Sequence, residues 1–265
     1  MGNDFVKKEK YSITDLLEIM SLLRSENGCP WDREQTHESI RKNFIEETYE
    51  AVEAIDCNDS EMLLEELGDV LLQVVFHTQM EKENGSFDFD DVCNGICRKL
   101  IVRHPHIFGE EDISSASAVA NRWEEIKKLT KGQKTGSETL LAVPKQLPAL
   151  MRCEKLLHRA EKATGRKLSF KMAFKKLDEE ASELREAEDL SADEAKEKIG
   201  DLLFSAVNAA RTLGLDPEEC LTASSEKFIL RFEKAESSAK EKGFSVAELD
   251  EKEAFSLLQG ANKNV

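Results

Sequence analysis

Residues 63–72 read LLEELGDVLL, and residues 195–204 read AKEKIGDLLF. Each sets Gly-Asp before an apolar run, and the matches around them extend in both directions. Upstream lie EETYE (46–50) and EEASE (179–183); downstream lie KLIVR (99–103) and KFILR (227–231). Glu50 to Asp69 is 19 residues and Glu183 to Asp201 is 18, while Asp69 to Lys99 is 30 and Asp201 to Lys227 is 26. Among 53 acidic residues any one match would be weak. Three matches in one order at near-equal spacing indicate a duplicated device.

Outward from that device the pattern is helical throughout. Apolar residues at 13, 16, 17, 19, 20, 22 and 23 predict a helix over Ile13–Arg24, with Ser12 or Thr14 as its cap. NGCPWDREQTH (27–37) reads as a loop punctuated by Gly28 and Pro30. Helical spacing resumes through Ile45, Tyr49, Val52 and Ile55, DCNDS (56–60) is a turn, and Glu61–Met80 reads as a long, mostly apolar helix. Val92–Val102 is a fourth helix stopped before Pro105, and Arg122–Leu129 a short one. The second half repeats the order with helices over Leu147–Lys162, Phe170–Glu188, Lys196–Leu213 and Glu218–Lys242. No strand-like alternation competes. The reading is an all-α chain of two similar halves, 1–130 and 143–265, with 131–142 as linker.

Composition narrows the function. A net charge of −16 argues against a general nucleic-acid binder, because phosphate backbones would be repelled. It leaves room for a small phosphorylated substrate bridged by a divalent cation. No apolar stretch spans a bilayer and MGNDFVKKEKYS has no signal-peptide core, so a cytoplasmic protein is expected. Six scattered cysteines fit reduced thiols there, with Cys93 and Cys97 as packing residues.

The acids carry the chemistry. On a helix Glu47 and Glu50 share a face, as do Glu66 and Asp69 on the next helix. That next helix is apolar almost all round, so it is expected to be buried, and its polar stripe of Glu66, Asp69 and Gln73 must point somewhere special. Unpaired buried carboxylates would cost several kcal/mol each or take up protons. Opposed acids on neighbouring antiparallel helices avoid that by holding a hard dication, Mg2+ or Mn2+ rather than zinc. The competing reading of EETYE alone is a solvated acidic face. Lys99 and Arg103, repeated as Lys227 and Arg231, form i, i+4 pairs suited to phosphate oxygens, or are plain surface pairs. No Gly-rich phosphate loop is present. His104 and His106 flank Pro105 and read as structural; His37 is open to capping or substrate contact; Trp31 reads as a packing anchor beside Pro30 rather than a base-stacking residue.

With these motifs in view, the chain resembles the MazG family of nucleoside triphosphate pyrophosphohydrolases, within the all-α NTP pyrophosphatase superfamily. The likeness runs through GCPWDREQTH (28–37), EETYE (46–50), EELGDVLLQVVFH (65–77), RHPHIFG (103–109), WEEIK (123–127) and VPKQLPAL (143–150). The superfamily's acid motif, EExxE then ExxD, stands intact as Glu46, Glu47, Glu50, Glu66 and Asp69. The resemblance implies tandem four-helix-bundle-like domains, a homodimer, and Mg2+-dependent cleavage of an NTP to NMP and pyrophosphate. It implies Glu47, Glu50, Glu66 and Asp69 as first-half metal ligands, with Glu47 or Glu50 orienting the attacking water. In the second half it implies Glu180, Glu183 and Asp201 at the metal, and Lys155, Lys227 and Arg231 on the substrate side.

Three departures fall in the second half. Lys198 replaces the Glu of ExxD, ATGRKLSF (163–170) replaces a Gly-Phe-Asp-Trp-like turn, and the tail EAFSLLQGANKNV lacks the base-contacting Trp. Several two-domain members use the C-terminal copy, so these losses matter. At ~5 Å and an effective dielectric of about 20, each unit charge interacts with Mg2+ by roughly 6–7 kcal/mol before solvent compensation. Glu197 is a poor substitute for Glu66's counterpart, lying about 100° round the helix. The Lys198 ammonium either disables that metal site or binds phosphate directly. The first half is therefore expected to be the competent one. The alternatives are a dUTP- or phosphoribosyl-ATP-type diphosphohydrolase and a catalytically weak nucleotide-binding scaffold.

Overall fold

A computed structural model describes residues 5–130, 132, 135–187, 190–241, 243 and 245–252, apart from the side chain of Lys128. Among the described residues all regular structure is helical, and no helix is long and apolar enough to cross a membrane. Two compact units emerge, Met1–Lys127 and Lys128–Val265.

The first unit holds α1 (Ile13–Arg24), α2 (Pro30–Glu34), α3 (Arg41–Asp56), α4 (Ser60–Glu83), α5 (Phe89–Arg103), α6 (Pro105–Phe108) and most of α7 (Ala116–Thr130). α1 starts where its cap predicts, the Asp15 carboxylate accepting from both the N–H and the hydroxyl of Ser12. The α3–α4 hairpin is made by local chemistry. Asn58 takes a left-handed conformation (φ 53°) that few side chains other than Asn tolerate, and the Asp59 carboxylate accepts from the N–H groups of Glu61 and Met62. The core gathers Met20, Ile40, Val75, Phe76 and Met80, with Leu16, Leu17, Leu72 and Phe89 against it. It joins α1 and α5 to the C-terminal half of α4 and leaves the N-terminal half facing α3.

The second unit holds α8 (Gly136–Leu141), α9 (Ala149–Thr164), α10 (Phe170–Glu186), α11 (Ala192–Thr212), α12 (Pro217–Glu241) and a 3-10 turn at Val246–Glu248. α10 packs along α11 as α3 does along α4. Gly165, left-handed at φ 66°, ends α9 within the ATGRKLSF loop. α9 is tied to α8 by Arg159, which donates to the Thr139 carbonyl, and to α11 by the Glu161–Arg211 ion pair.

Several expectations shift. Part of the predicted linker is α8, because Thr135 and Glu138 form a capping box; residues 131, 133 and 134 lie outside the described set, as do 253–265, which carry the tail lacking Trp. Pro30 opens a short helix inside the 27–37 loop, a position where its missing N–H costs nothing. α7 begins six residues earlier than its apolar pattern suggests. The N-terminal half of α4 is not buried all round: Leu64 is 77% and Leu67 54% exposed. Trp31, read as a packing anchor, is 58% exposed. Cys93 is half-buried and Cys97 exposed, and all six cysteines are free.

Candidate metal centre

The hairpin register decides which acids meet. Asn58 sits at its apex, with Glu50 and Glu66 eight residues to either side and Glu47 and Asp69 eleven to either side. Antiparallel helices rising equally per residue therefore bring each pair to the same depth. One carboxylate oxygen from each of Glu47, Glu66 and Asp69 lies within 4.8 Å of the other two. Glu50 stands beside them, and its charge acts on both Glu47 and Glu66. Gln73, further along the same stripe, is buried and its side-chain carbonyl oxygen has no partner.

These acids carry unrelieved charge. Desolvation, and then the neighbouring Asp69 and Glu50, raise the Glu47 pKa; desolvation followed by Glu50, Glu65 and Asp69 does the same to Glu66. Among the described residues no Lys or Arg forms an ion pair with Glu47, Glu50, Glu66 or Asp69. Three converging hard oxygens that lack a counter-charge fit an oxygen-seeking dication such as Mg2+ or Mn2+ and offer no nitrogen or sulfur to a softer metal.

The second hairpin has the same register and a different outcome. Glu183 and Lys198 are as symmetrically placed as Glu180 and Asp201, so Lys198 falls opposite Glu183 as Glu66 falls opposite Glu50. Lys198 Nζ donates to Glu183 Oε2 at 3.4 Å, and Lys176 pairs with the buried Glu180 at 2.5 Å. Among the described residues Glu180, Glu183 and Asp201 are not brought together within 4.8 Å as Glu47, Glu66 and Asp69 are. Two lysines already supply the positive charge that a metal would bring.

The cations expected on the substrate side are less assembled. Lys99 is exposed on α5, and Arg103 lays its guanidinium over the Trp123 ring at 5.1 Å. Lys155 and Lys227 are exposed, and the Arg231 guanidinium lies 5.8 Å from the centre of the Phe228 ring. His104 bonds the Leu100 carbonyl and meets Trp123 edge-on, which bears out a structural role.

Sequence reasoning missed a second polar cluster. His37 Nδ1 lies 2.7 Å from His77 Nδ1, and His37 Nε2 lies 2.7 Å from Glu81 Oε1. The signal was available in part, since His77 and Glu81 continue the stripe of Glu66, Asp69 and Gln73 at helical spacing. His37, 40 residues away, could not be joined to it from spacing alone.

Comparison with known proteins agrees with this architecture. Residues 35–108 match the family model described as the MazG nucleotide pyrophosphohydrolase domain, which spans the hairpin and its acids. The nucleoside triphosphate pyrophosphohydrolase/pyrophosphatase MazG of Thermotoga maritima is 43% identical over 235 residues, 89% of each chain. The nucleoside triphosphate pyrophosphohydrolase of Escherichia coli K12 is 43% identical over 242 residues, 90% of this chain and 92% of its own. One of the same name from Mycolicibacterium smegmatis is 39% identical over 153 residues, 57% of this chain. Similarity at this level over nearly the whole length of two relatives leaves one conclusion: the chain belongs to the MazG nucleotide pyrophosphohydrolase family.

Proposed function

We propose that the protein hydrolyses nucleoside triphosphates to nucleoside monophosphate and pyrophosphate with Mg2+, and that the first half is the competent copy. The observation that carries this is the convergence of Glu47, Glu66 and Asp69 without a counter-cation, set against the lysine-neutralised acids of the second half. Mg2+ held by those three carboxylates would neutralise the triphosphate and acidify water beside it. Glu50, outside the trio but close enough for its charge to act on Glu47 and Glu66, is the carboxylate available to orient a water towards the α-phosphorus and accept its proton. Lys99 and Arg103 would offset charge on the departing pyrophosphate; in that role Arg103 keeps its ring contact and offers its outer edge. The names of the relatives support triphosphates as substrates.

The same reading includes a homodimer. Tyr49, Ile55, Leu64 and Leu67 form exposed apolar surface on α3 and α4, beyond what isolated surface residues account for. A second copy burying it would dry the surroundings of the acids. Light scattering should report twice the chain mass, and Leu67→Glu should shift it to the monomer; a monomeric parent protein would refute this part.

The decisive experiment measures pyrophosphate release from a panel of nucleotides, dUTP and phosphoribosyl-ATP included, with and without Mg2+. Equimolar monophosphate and pyrophosphate, abolished by chelation, is expected. Intact nucleotides in the presence of Mg2+ would leave only the scaffold reading, and unchanged turnover after chelation would remove the metal.

A further inference from the structure

The 29–37 segment starts on a backbone bond from the Cys29 N–H to the Leu23 carbonyl, and beyond it side chains of α1 and α4 hold the segment at two places. Near its middle, Arg24 of α1 donates to the carbonyls of Asp32 and Gln35 while its other face forms a bidentate pair with Glu83 of α4, at 3.0 and 2.9 Å. At its end, His37 bridges to His77 and Glu81 of α4. The first anchor keeps its charge at any physiological pH. The second is built on two imidazoles, the side chain whose ordinary charge change falls in that range.

Its protons can be assigned from the contacts. Glu81 Oε1, as a carboxylate, only accepts, so His37 Nε2 carries the hydrogen between them. A neutral His37 then has a bare Nδ1, and the 2.7 Å contact requires His77 Nδ1 to donate into it. The ring planes are parallel to within 3°, and with the two nitrogens this close the rings meet edge to edge. His77 is thereby held as the Nδ1–H tautomer with Nε2 bare. Only one proton fits between the two Nδ1 atoms.

We propose that His37 and His77 form a one-proton clasp that fastens the end of the 29–37 segment to α4 and opens when both rings become cations. The first added proton is tolerated, because His37 can hold two hydrogens beside Glu81 while His77 turns acceptor in the same contact. The second places two N–H groups and two positive charges face to face, and one ring must turn away. The surroundings favour a sharp step. From α3 the Phe44 ring closes on His77 at 5.6 Å and brings no charge; Glu38, with Arg41 beyond it, lies beside His37; Glu81 is the acid on α4; and Arg24 of α1 is engaged by Glu83. Burial, and then His37, depress the basicity of His77. Opening is confined to the Thr36–Ser39 turn, since Arg24 still holds Asp32 and Gln35, and Ile40 stays in the core.

The clasp is independent of the proposed activity and is tested without substrate. Nitrogen-15 NMR of the full chain, labelled at histidine and assigned with His37→Asn and His77→Gln, reads tautomer and charge directly. At pH 7.5 His77 is expected as the uncommon Nδ1–H form. On acidification the pair should take up its two protons in steps separated by at least about tenfold in proton concentration. Amide exchange over 36–39 should accelerate only at the second step. Glu81→Gln, which keeps the shape and removes the charge, should lower the first step without unfolding the chain. Two ordinary Nε2–H tautomers, or independent single-site titrations of the two rings, would overturn the proposal. So would exchange over 36–39 that ignores the second step.

Discussion

Asp69→Asn and Asp201→Asn form a matched pair that separates the two halves. Each substitution keeps nearly the same shape and removes one negative charge at equivalent depth in its hairpin. In the first half Asp69 shares a 4.8 Å cluster with Glu47 and Glu66, and no ammonium or guanidinium among the described residues relieves it. A carboxylate about 3 Å from a dication gains about 3 kcal/mol even at the dielectric of bulk water. Losing that is about 100-fold in Mg2+ affinity. In the second half Glu183 and Glu180 are occupied by Lys198 and Lys176, so Asp201 has no cation site to lose. Initial rates of pyrophosphate release across a Mg2+ titration read both variants, with thermal unfolding as the control for folding. Asp69→Asn should raise half-saturating Mg2+ by one to two orders of magnitude or abolish turnover, and Asp201→Asn should stay within about twofold of the parent. Abolition by Asp201→Asn with Asp69→Asn unaffected would assign catalysis to the other half and refute the charge argument with it.

Lys198→Glu frees Glu183 and restores the missing acid, so spin-counting of bound Mn2+ should show more ions per chain than in the parent; an unchanged count would mean that Lys198 is not what excludes the metal. Glu47 and Glu66 have folded-state pKa values raised above 4.5, so the folded chain holds their protons more tightly than the unfolded one. Stability of the metal-free protein should fall as pH rises from the ordinary glutamate range through those raised values, while Mg2+ affinity rises over the same interval; denaturant unfolding with and without Mg2+ tests both slopes. Gly28→Ala should destabilise by on the order of 3 kcal/mol, because its Cβ would sit 2.2 Å from the Leu23 carbonyl oxygen, which accepts from the Cys29 N–H. Gly68→Ala has open space around the new Cβ and should gain about 0.5–1 kcal/mol in a mid-helix position.

What the sequence made legible is what is local. The ends of α1 follow from the Ser12 cap and seven apolar positions, and the α3–α4 hairpin from Asn58 and Asp59, so the acids' convergence was readable. The opposition of Lys198 and Glu183 follows from the same arithmetic. The failures concern surfaces and distant partners. Periodicity marks Leu64 and Leu67 as apolar but cannot say whether their cover comes from the same chain. α7 begins in ASAVAN, where small residues form helix without an apolar stripe. Trp31 sits beside Pro30 as anchors do, yet its segment is held by backbone carbonyls on Arg24, which leaves the ring outside.

The two hairpins show how little separates a cation site from a self-contained fold. Both bring acids to equal depth, and both pair their helices closely. In the second, Lys198 and Lys176 hold two of the three acids in ion pairs within the hairpin itself. In the first, Glu47, Glu50, Glu66 and Asp69 stand together with no ion-paired Lys or Arg among the described residues, and burial followed by the neighbouring acids raises the pKa of Glu47 and of Glu66. Such a cluster is maintained against its own repulsion by the packing of the fold, including the core that Val75, Phe76 and Met80 form with Met20 and Ile40 further along α4. The repulsion is relieved by protonation, or at neutral pH by a ligand that brings positive charge from outside. Of the two hairpins, the first keeps its acids together with no ion-paired Lys or Arg among the described residues, while the second holds two of its acids in internal ion pairs. That difference is the ground for expecting an added cation at the first hairpin rather than the second.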